Sequence, residues 1–233
     1  MIGTAQIQTK NSFQKIRPFV EHELERLAGF KKNDEDENVR GEPNRAALSE
    51  LRRVLGKPIN TAFPAYKYLC KWTADFEESR HSESWDVKCY FLVASLFALY
   101  QQGTFKNENN RLSWHHEEEI YPADRNFGAS FRRLELKMLE DKDDAETSKG
   151  KSKSLEKRFS VLLNSRSADL PVRLRQAVLL LKSYEIRIDW VELLRDLLRW
   201  KRNEKSFSTT NRRISPQRSW AQSFYKIEEI KEN

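Results

Sequence analysis

The chain has 233 residues, 38% of them hydrophobic and 33% charged, with 42 Lys and Arg against 35 Asp and Glu for a net charge of +7. A chain of this length forms one large or two small domains and buries roughly 70% of its unfolded surface, and so high a charged fraction keeps much of the surface in water or against other macromolecules. Seven glycines and seven prolines are few for a sheet protein, and abundant Leu, Glu, Arg and Lys favour helices, so the expected fold class is an all-α helical bundle. Cys70 and Cys89 form neither a C-x-x-C pair nor any metal-ligand spacing, which points to a reducing cytoplasm. The most apolar stretch, Tyr90 to Tyr100, is eleven residues long and too short to span a bilayer, so no membrane partner is expected.

In chain order, residues 12 to 30 read as a helix with an apolar stripe of Phe13, Ile16, Phe19, Val20, Leu24 and Leu27, ended by Gly29. Pro18 falls in its first turns or splits it. Lys31 to Pro43 is charged and ends in Gly and Pro residues, the composition of an exposed loop. A helix starting near Asn44 and stopping at Gly56 turns Ala47, Leu48, Leu51 and Leu55 inward and carries Arg52 and Arg53 outside. Arg52 and Arg53 have two open readings: cations favoured at a helix C-terminus by the macrodipole, or nucleic-acid contacts. Ala65 to Trp72 reads as a short helix, and Asp86 to Gln102 as a helix apolar on all sides, hence buried.

Residues 103 to 126 read as a polar and aromatic loop containing the adjacent pair His115 and His116. Neighbouring histidines cannot face one site from a regular helix, so neither metal binding nor acid–base chemistry is expected of them. Phe127 to Leu139 returns to helix. Residues 140 to 153, EDKDDAETSKGKSK, have no apolar face and read as a charged linker between an N-terminal helical unit, 1 to 139, and a C-terminal one, 154 to 233. Gly150-Lys151-Ser152 hints at a phosphate loop, but the upstream glycine and the preceding strand that such a loop needs are missing.

Three helices fit residues 154 to 202. The middle one presents Leu174, Ala177, Val178 and Leu181 at i, i+3, i+4, i+7 spacing, with Asp169 as a candidate N-cap and Pro171 in the first turn. The last begins with Asp189 and Glu192 in the D-x-x-E relation of a capping box. A final short amphipathic helix starts near Trp220, its aromatics suited to the core or to another subunit. From residue 151 onward there are 19 Lys and Arg against 10 Asp and Glu, and before it 23 against 25, so the C-terminal part holds the basic surplus. That surplus suits a polyanion.

No carboxylate pair, nucleophile with base, glycine-rich loop or metal spacing survives a search of the sequence, so no catalytic residue, metal site or cofactor is expected. A helical protein-interaction scaffold that meets acidic protein through its basic face stays open as an alternative. A helix-turn-helix DNA-binding regulator, with its turn at Arg166 to Leu170, is the other.

An ordered series of short patterns carries a resemblance: Leu51-Arg52-Arg53, Phe127-Gly128-Ala129-Ser130-Phe131-Arg132-Arg133, Lys157-Arg158-Phe159, Arg166-Ser167-Ala168-Asp169, Ile188-Asp189-Trp190 and Leu198-Arg199-Trp200. In this order they resemble the CasB family, the small subunit of the type I-E CRISPR surveillance complex, Cascade. The resemblance implies a non-catalytic subunit that meets the backbone and large subunits, a second copy of itself, guide RNA and target DNA. Such a subunit holds nucleic-acid backbone without sequence preference and stabilises the target R-loop with its displaced strand. Arg52, Arg53, Arg132, Arg166, Arg175 and Arg202 occupy the matching basic positions, and Lys157, Arg158 and Lys201 join them on charge alone. Arg158 and Arg175 have an open alternative, pairing with Asp or Glu inside the bundle.

Overall fold

The computed structural model describes residues 14–32, 38–74, 84–103, 124–140, 145–205 and 214–226. Helix α1, Ile16–Phe19, runs directly into a π-helical turn, Val20–Glu25, and together they bury Ile16, Phe19, Val20 and Leu24. Pro18 is tolerated because it lies where the helix begins, and a missing N–H there breaks no ladder bond. Gly29 ends the segment at φ +90°, and a Cβ there would run into the backbone of Gly41, whose N–H donates to the Gly29 carbonyl. Only glycine allows that approach. The two glycines close the base of a small antiparallel hairpin, β1 (Phe30–Lys32) and β2 (Asn38–Arg40), paired Phe30 to Arg40. The stretch 31 to 43, read from composition as loop, therefore contains strand on both sides of 33–37, which lie outside the described residues.

Helix α2, Arg45–Arg53, starts at Asn44, whose Oδ1 accepts the Ala47 N–H at 3.0 Å. A single 3-10 turn, Ile59–Thr61, leads to α3, Phe63–Thr73. Helix α4, Trp85–Tyr100, is buried continuously from Cys89 to Tyr100, as its all-round apolar sequence requires. It is the axis of the molecule. Helices α2 and α3 pack on it, as do α7 (Leu170–Ser183) and α8 (Trp190–Lys205) from the other half of the chain. Trp190 makes edge-on ring contacts with Phe97 at 5.4 Å and Tyr100 at 5.6 Å. One apolar core thus runs from Ile16 to Phe224, across the boundary that composition draws at 140 to 153.

Helix α5 spans Phe127–Glu140 and α6 spans Ala145–Leu163. The stretch read as a linker is therefore helical from residue 145. Ala, Glu and Lys are good helix formers, the segment continues a helix whose far half is anchored by Leu155, Phe159 and Leu162, and Ser152 Oγ donates to Glu135 Oε1 on α5 at 2.6 Å. Absence of an apolar face marks solvent exposure there, not absence of helix.

Two cap assignments also need correction. Asp169 precedes α7 in a helical conformation and makes no capping bond, so Pro171 and the turn carbonyl of Arg166, which accepts from both Asp169 and Leu170 N–H, start that helix. Asp189 does cap α8, accepting the Glu192 N–H at 2.9 Å, but the Glu192 carboxylate pairs with Arg195.

The final helix α9, Pro216–Phe224, begins at Ser215, whose hydroxyl accepts the Arg218 N–H, and docks into the core. Asn126 fastens it to the start of α5: its Oδ1 accepts the Ala129 N–H at 3.0 Å while its Nδ2 donates to Ser219 Oγ and Ser223 Oγ at 3.1 and 2.8 Å. Trp220 is fully buried between Phe127 and Trp200, each ring 5.0 Å away.

Candidate nucleic-acid interface

Where the basic surplus comes to the surface depends on which cations are already neutralised. On α8 Arg195 and Arg199 have acids one turn away: Arg195 pairs with Glu192, and Arg199 lies 3.6 Å from Asp196 while donating to the Ile214 carbonyl at 2.7 Å. Arg125 faces Asp189 at 3.2 Å in the interior. Burial pushes the Asp189 carboxyl up to about 7, against the pull of Arg125 and Arg195, and that of Asp196 up to about 6, although Asp196 also accepts the Trp220 indole N–H at 2.6 Å.

Raised carboxyl pKa values make the folded chain bind more protons than the unfolded one between about 3.8 and 7. The stability these two groups contribute is full below that window and is lost as pH rises through it. Denaturant titrations are therefore expected to show stability increasing as pH falls from 7.5 toward 5, and Asp196→Asn, which keeps an acceptor for Trp220, is expected to flatten the slope.

Helices α6 and α7 form an antiparallel hairpin with little internal neutralisation. From 153 to 175 the sequence has six cations and two acids. Leu155, Phe159 and Leu162 hold α6 to the core, which turns Ser154, Lys157, Arg158 and Val161 outward on one stripe at i, i+3, i+4, i+7. Leu170, Leu174, Val178 and Leu181 do the same for α7, leaving Arg173, Gln176, Ala177 and Leu180 on a matching stripe. The two stripes face each other across a groove of about 760 Å³, floored by Phe131 and Leu162. Lys157, Arg158 and Arg173 are exposed and carry no ion pair among the described residues.

The sequence-assigned cations divide accordingly. Lys157 and Arg158 line the groove, and Arg166 stands exposed on the turn at the end where Val161 and Arg173 lie. Arg175 is exposed and without an ion pair among the described residues, but two residues from Arg173 on a helix means the opposite flank of α7. Arg132 is half-buried and bound to Glu135 at 2.6 Å. Arg52 is half-buried too, its Nη1 3.5 Å from the Ala98 carbonyl in the last turn of α4, whose end Lys182 also holds through Leu99 O at 3.1 Å. Arg53 is exposed beside Glu50. Lys201 and Arg202 continue α8, but their side chains lie outside the described residues, as do His115 and His116.

Arg173 belongs to the basic surplus, yet sequence patterns alone assign it to no site. A signal for it exists: it heads a stripe with the same spacing as the one bearing Lys157 and Arg158. Among the described residues no three His, Cys, Asp or Glu side chains gather as metal ligands, and no helix is long and apolar enough to cross a membrane.

The model of the CRISPR-associated protein Cse2 family matches residues 47–225, which takes in every helix from α3 to α9 and most of α2. The chain belongs to the Cse2 family. Solved Cse2 structures share its fold. A crystal structure of M. ruber CasB is 27% identical, covering 92% of each chain with a TM-score of 0.57. A CRISPR-associated protein of the Cse2 family from Thermus thermophilus is 26% identical, over 90% of this chain and 97% of that one, with a TM-score of 0.52. A crystal structure of CasB from Thermus thermophilus agrees with both, at 27% identity over 90% of this chain and 97% of that one, with a TM-score of 0.52. No curated relative matches the sequence.

Proposed function

We propose that this Cse2-family chain is the non-catalytic small subunit of a type I-E Cascade complex and that it holds nucleic-acid backbone through the α6–α7 groove, stabilising the opened target DNA and its displaced strand. The observation that carries the reading is the convergence of Lys157, Arg158 and Arg173 on one groove without carboxylate partners among the described residues, with Arg166 at its end. Cations in this state bind phosphate by releasing condensed counterions, which gives affinity without sequence preference. Sequence recognition belongs to the guide RNA, and exchange of DNA duplex for RNA–DNA heteroduplex is nearly balanced in free energy, so a few added backbone contacts shift it. Arg175 and Arg53 extend the basic surface on other flanks. The other Cascade subunits, a second copy of the chain, guide RNA and target DNA are the partners in this reading.

The test is permanganate footprinting of target DNA on Cascade assembled with and without this subunit. Opened thymines are expected to stay reactive longer when it is present and to lose that protection from reclosure when the groove cations are removed. Equal lifetimes with and without the subunit contradict the reading.

A further inference from the structure

Between Glu50 and Asp75 the sequence has no acidic residue, yet it holds five cations, Arg52, Arg53, Lys57, Lys67 and Lys71, and four aromatics, Phe63, Tyr66, Tyr68 and Trp72. Helix α3 sorts them. Ala65, Leu69 and Trp72 face the core, and Phe63, Lys67, Cys70 and Lys71 form one exposed stripe at i, i+4, i+7, i+8, about 12 Å long at 1.5 Å per residue.

Phe63 is 73% exposed, more than any other large hydrophobic side chain among the described residues. It is not loosely held, because its ring lies 6.3 Å from Tyr66, which packs edge-on against the core residue Phe91 at 5.1 Å. The ammonium groups of Lys67 and Lys71 lie over the rings of Tyr68 and Trp72, at 4.9 and 5.1 Å. The nearby carboxylate, Glu50, is bound by Lys67 at 2.7 Å and by the Tyr68 hydroxyl at 2.8 Å, with Arg53 beside it.

We infer that this face of α3 is a second nucleic-acid contact that takes single-stranded nucleic acid, with Phe63 stacking on an unstacked base and Lys71 and Arg53 meeting the flanking phosphates, while Lys67 stays bound to Glu50. An aromatic platform among cations is the arrangement that single strands use, since every base offers a π-face once it leaves the duplex stack. A duplex offers no such face. Among the described residues the carboxylates beside this face are already bound, Glu50 by Lys67 and Glu23 by Arg26 and the Trp72 indole N–H, so a protein pocket for Phe63 would have to bring its own acids. The inference rests on the reading that the chain engages nucleic acid, but it uses a surface with no residue in common with the α6–α7 groove.

The test is fluorescence anisotropy of a labelled mixed-sequence single-stranded oligonucleotide with the full chain over a salt series, comparing wild type, Phe63→Ala, Phe63→Trp and Lys71→Ala. Phe63→Ala is expected to weaken binding about tenfold with the salt slope unchanged, because stacking releases no counterion, while Phe63→Trp restores it. Lys71→Ala is expected to lower the slope by about 0.7. Phe63 is exposed, so its variants are expected to melt as wild type does. Unchanged affinity in Phe63→Ala, with loss on removing the groove cations, overturns the inference and leaves the proposed function standing. Unchanged affinity together with poor incorporation into Cascade assigns the face to a protein subunit and overturns it as well. No binding by wild type at low salt overturns both.

Discussion

Replacing Gly128 by alanine is expected to destabilise the fold by about 3 kcal/mol and to loosen α9 from the bundle. A Cβ at 128 would run into the carbonyl and Cα of Trp220, which are backbone atoms and cannot swing aside as a side chain can. On helix propensity alone the exchange would stabilise by up to about 1 kcal/mol, so the sign of the measured change decides whether the close approach governs. Trp220 has little room to retreat: its ring is packed against Phe127 and Trp200 and its indole N–H is held by Asp196. For a chain of this size the loss corresponds to a fall in Tm of about 10 °C, read by thermal denaturation with tryptophan fluorescence. An unchanged or raised Tm would mean that α9 does not cross α5 at this glycine.

The triple variant Lys157→Ala/Arg158→Ala/Arg173→Ala is expected to weaken DNA binding by roughly two orders of magnitude near 0.1 M salt, and to lower the slope of log K against log salt by about 2 to 3, roughly 0.7 to 0.9 for each phosphate left without its cation. All three side chains are exposed, and the apolar anchors of their helices come from other faces, so the melting temperature is expected to stay within a few degrees of wild type. Arg132→Ala supplies the contrast. Its guanidinium is already bound to Glu135, so its removal is expected to touch stability more than affinity. If the triple variant bound as wild type does, the working cations would lie elsewhere, Arg175 and Arg53 first among them.

Most of the helices are legible in the sequence because each has a one-sided or all-round apolar pattern: Leu174, Ala177, Val178 and Leu181 mark α7, and the run to Tyr100 marks the buried α4. The near half of α6 is not, since a segment without an apolar stripe has no periodicity to read, and its helicity comes from the anchored turns after Ser154 and from Ser152 bonding to Glu135. The Gly29–Gly41 approach that closes the hairpin is equally hidden, because it joins residues twelve apart through backbone alone. Charge identifies the basic half but not its working face. Arg52 looks the same in sequence as Arg158, and only a tertiary neighbour, the Ala98 carbonyl, marks it as bound, whereas Arg132 has its partner Glu135 three residues on in the same helix, a pair that the sequence does offer.

The salt dependence of DNA binding by the wild-type chain tests the central claim most directly, measured on two unrelated sequences in single-stranded and duplex form. A steep linear fall of log K with log salt, with the same slope for both sequences, is the result expected of a groove that binds backbone. A shallow slope, or a strong preference for one sequence, would contradict it and favour a scaffold or a base-reading regulator.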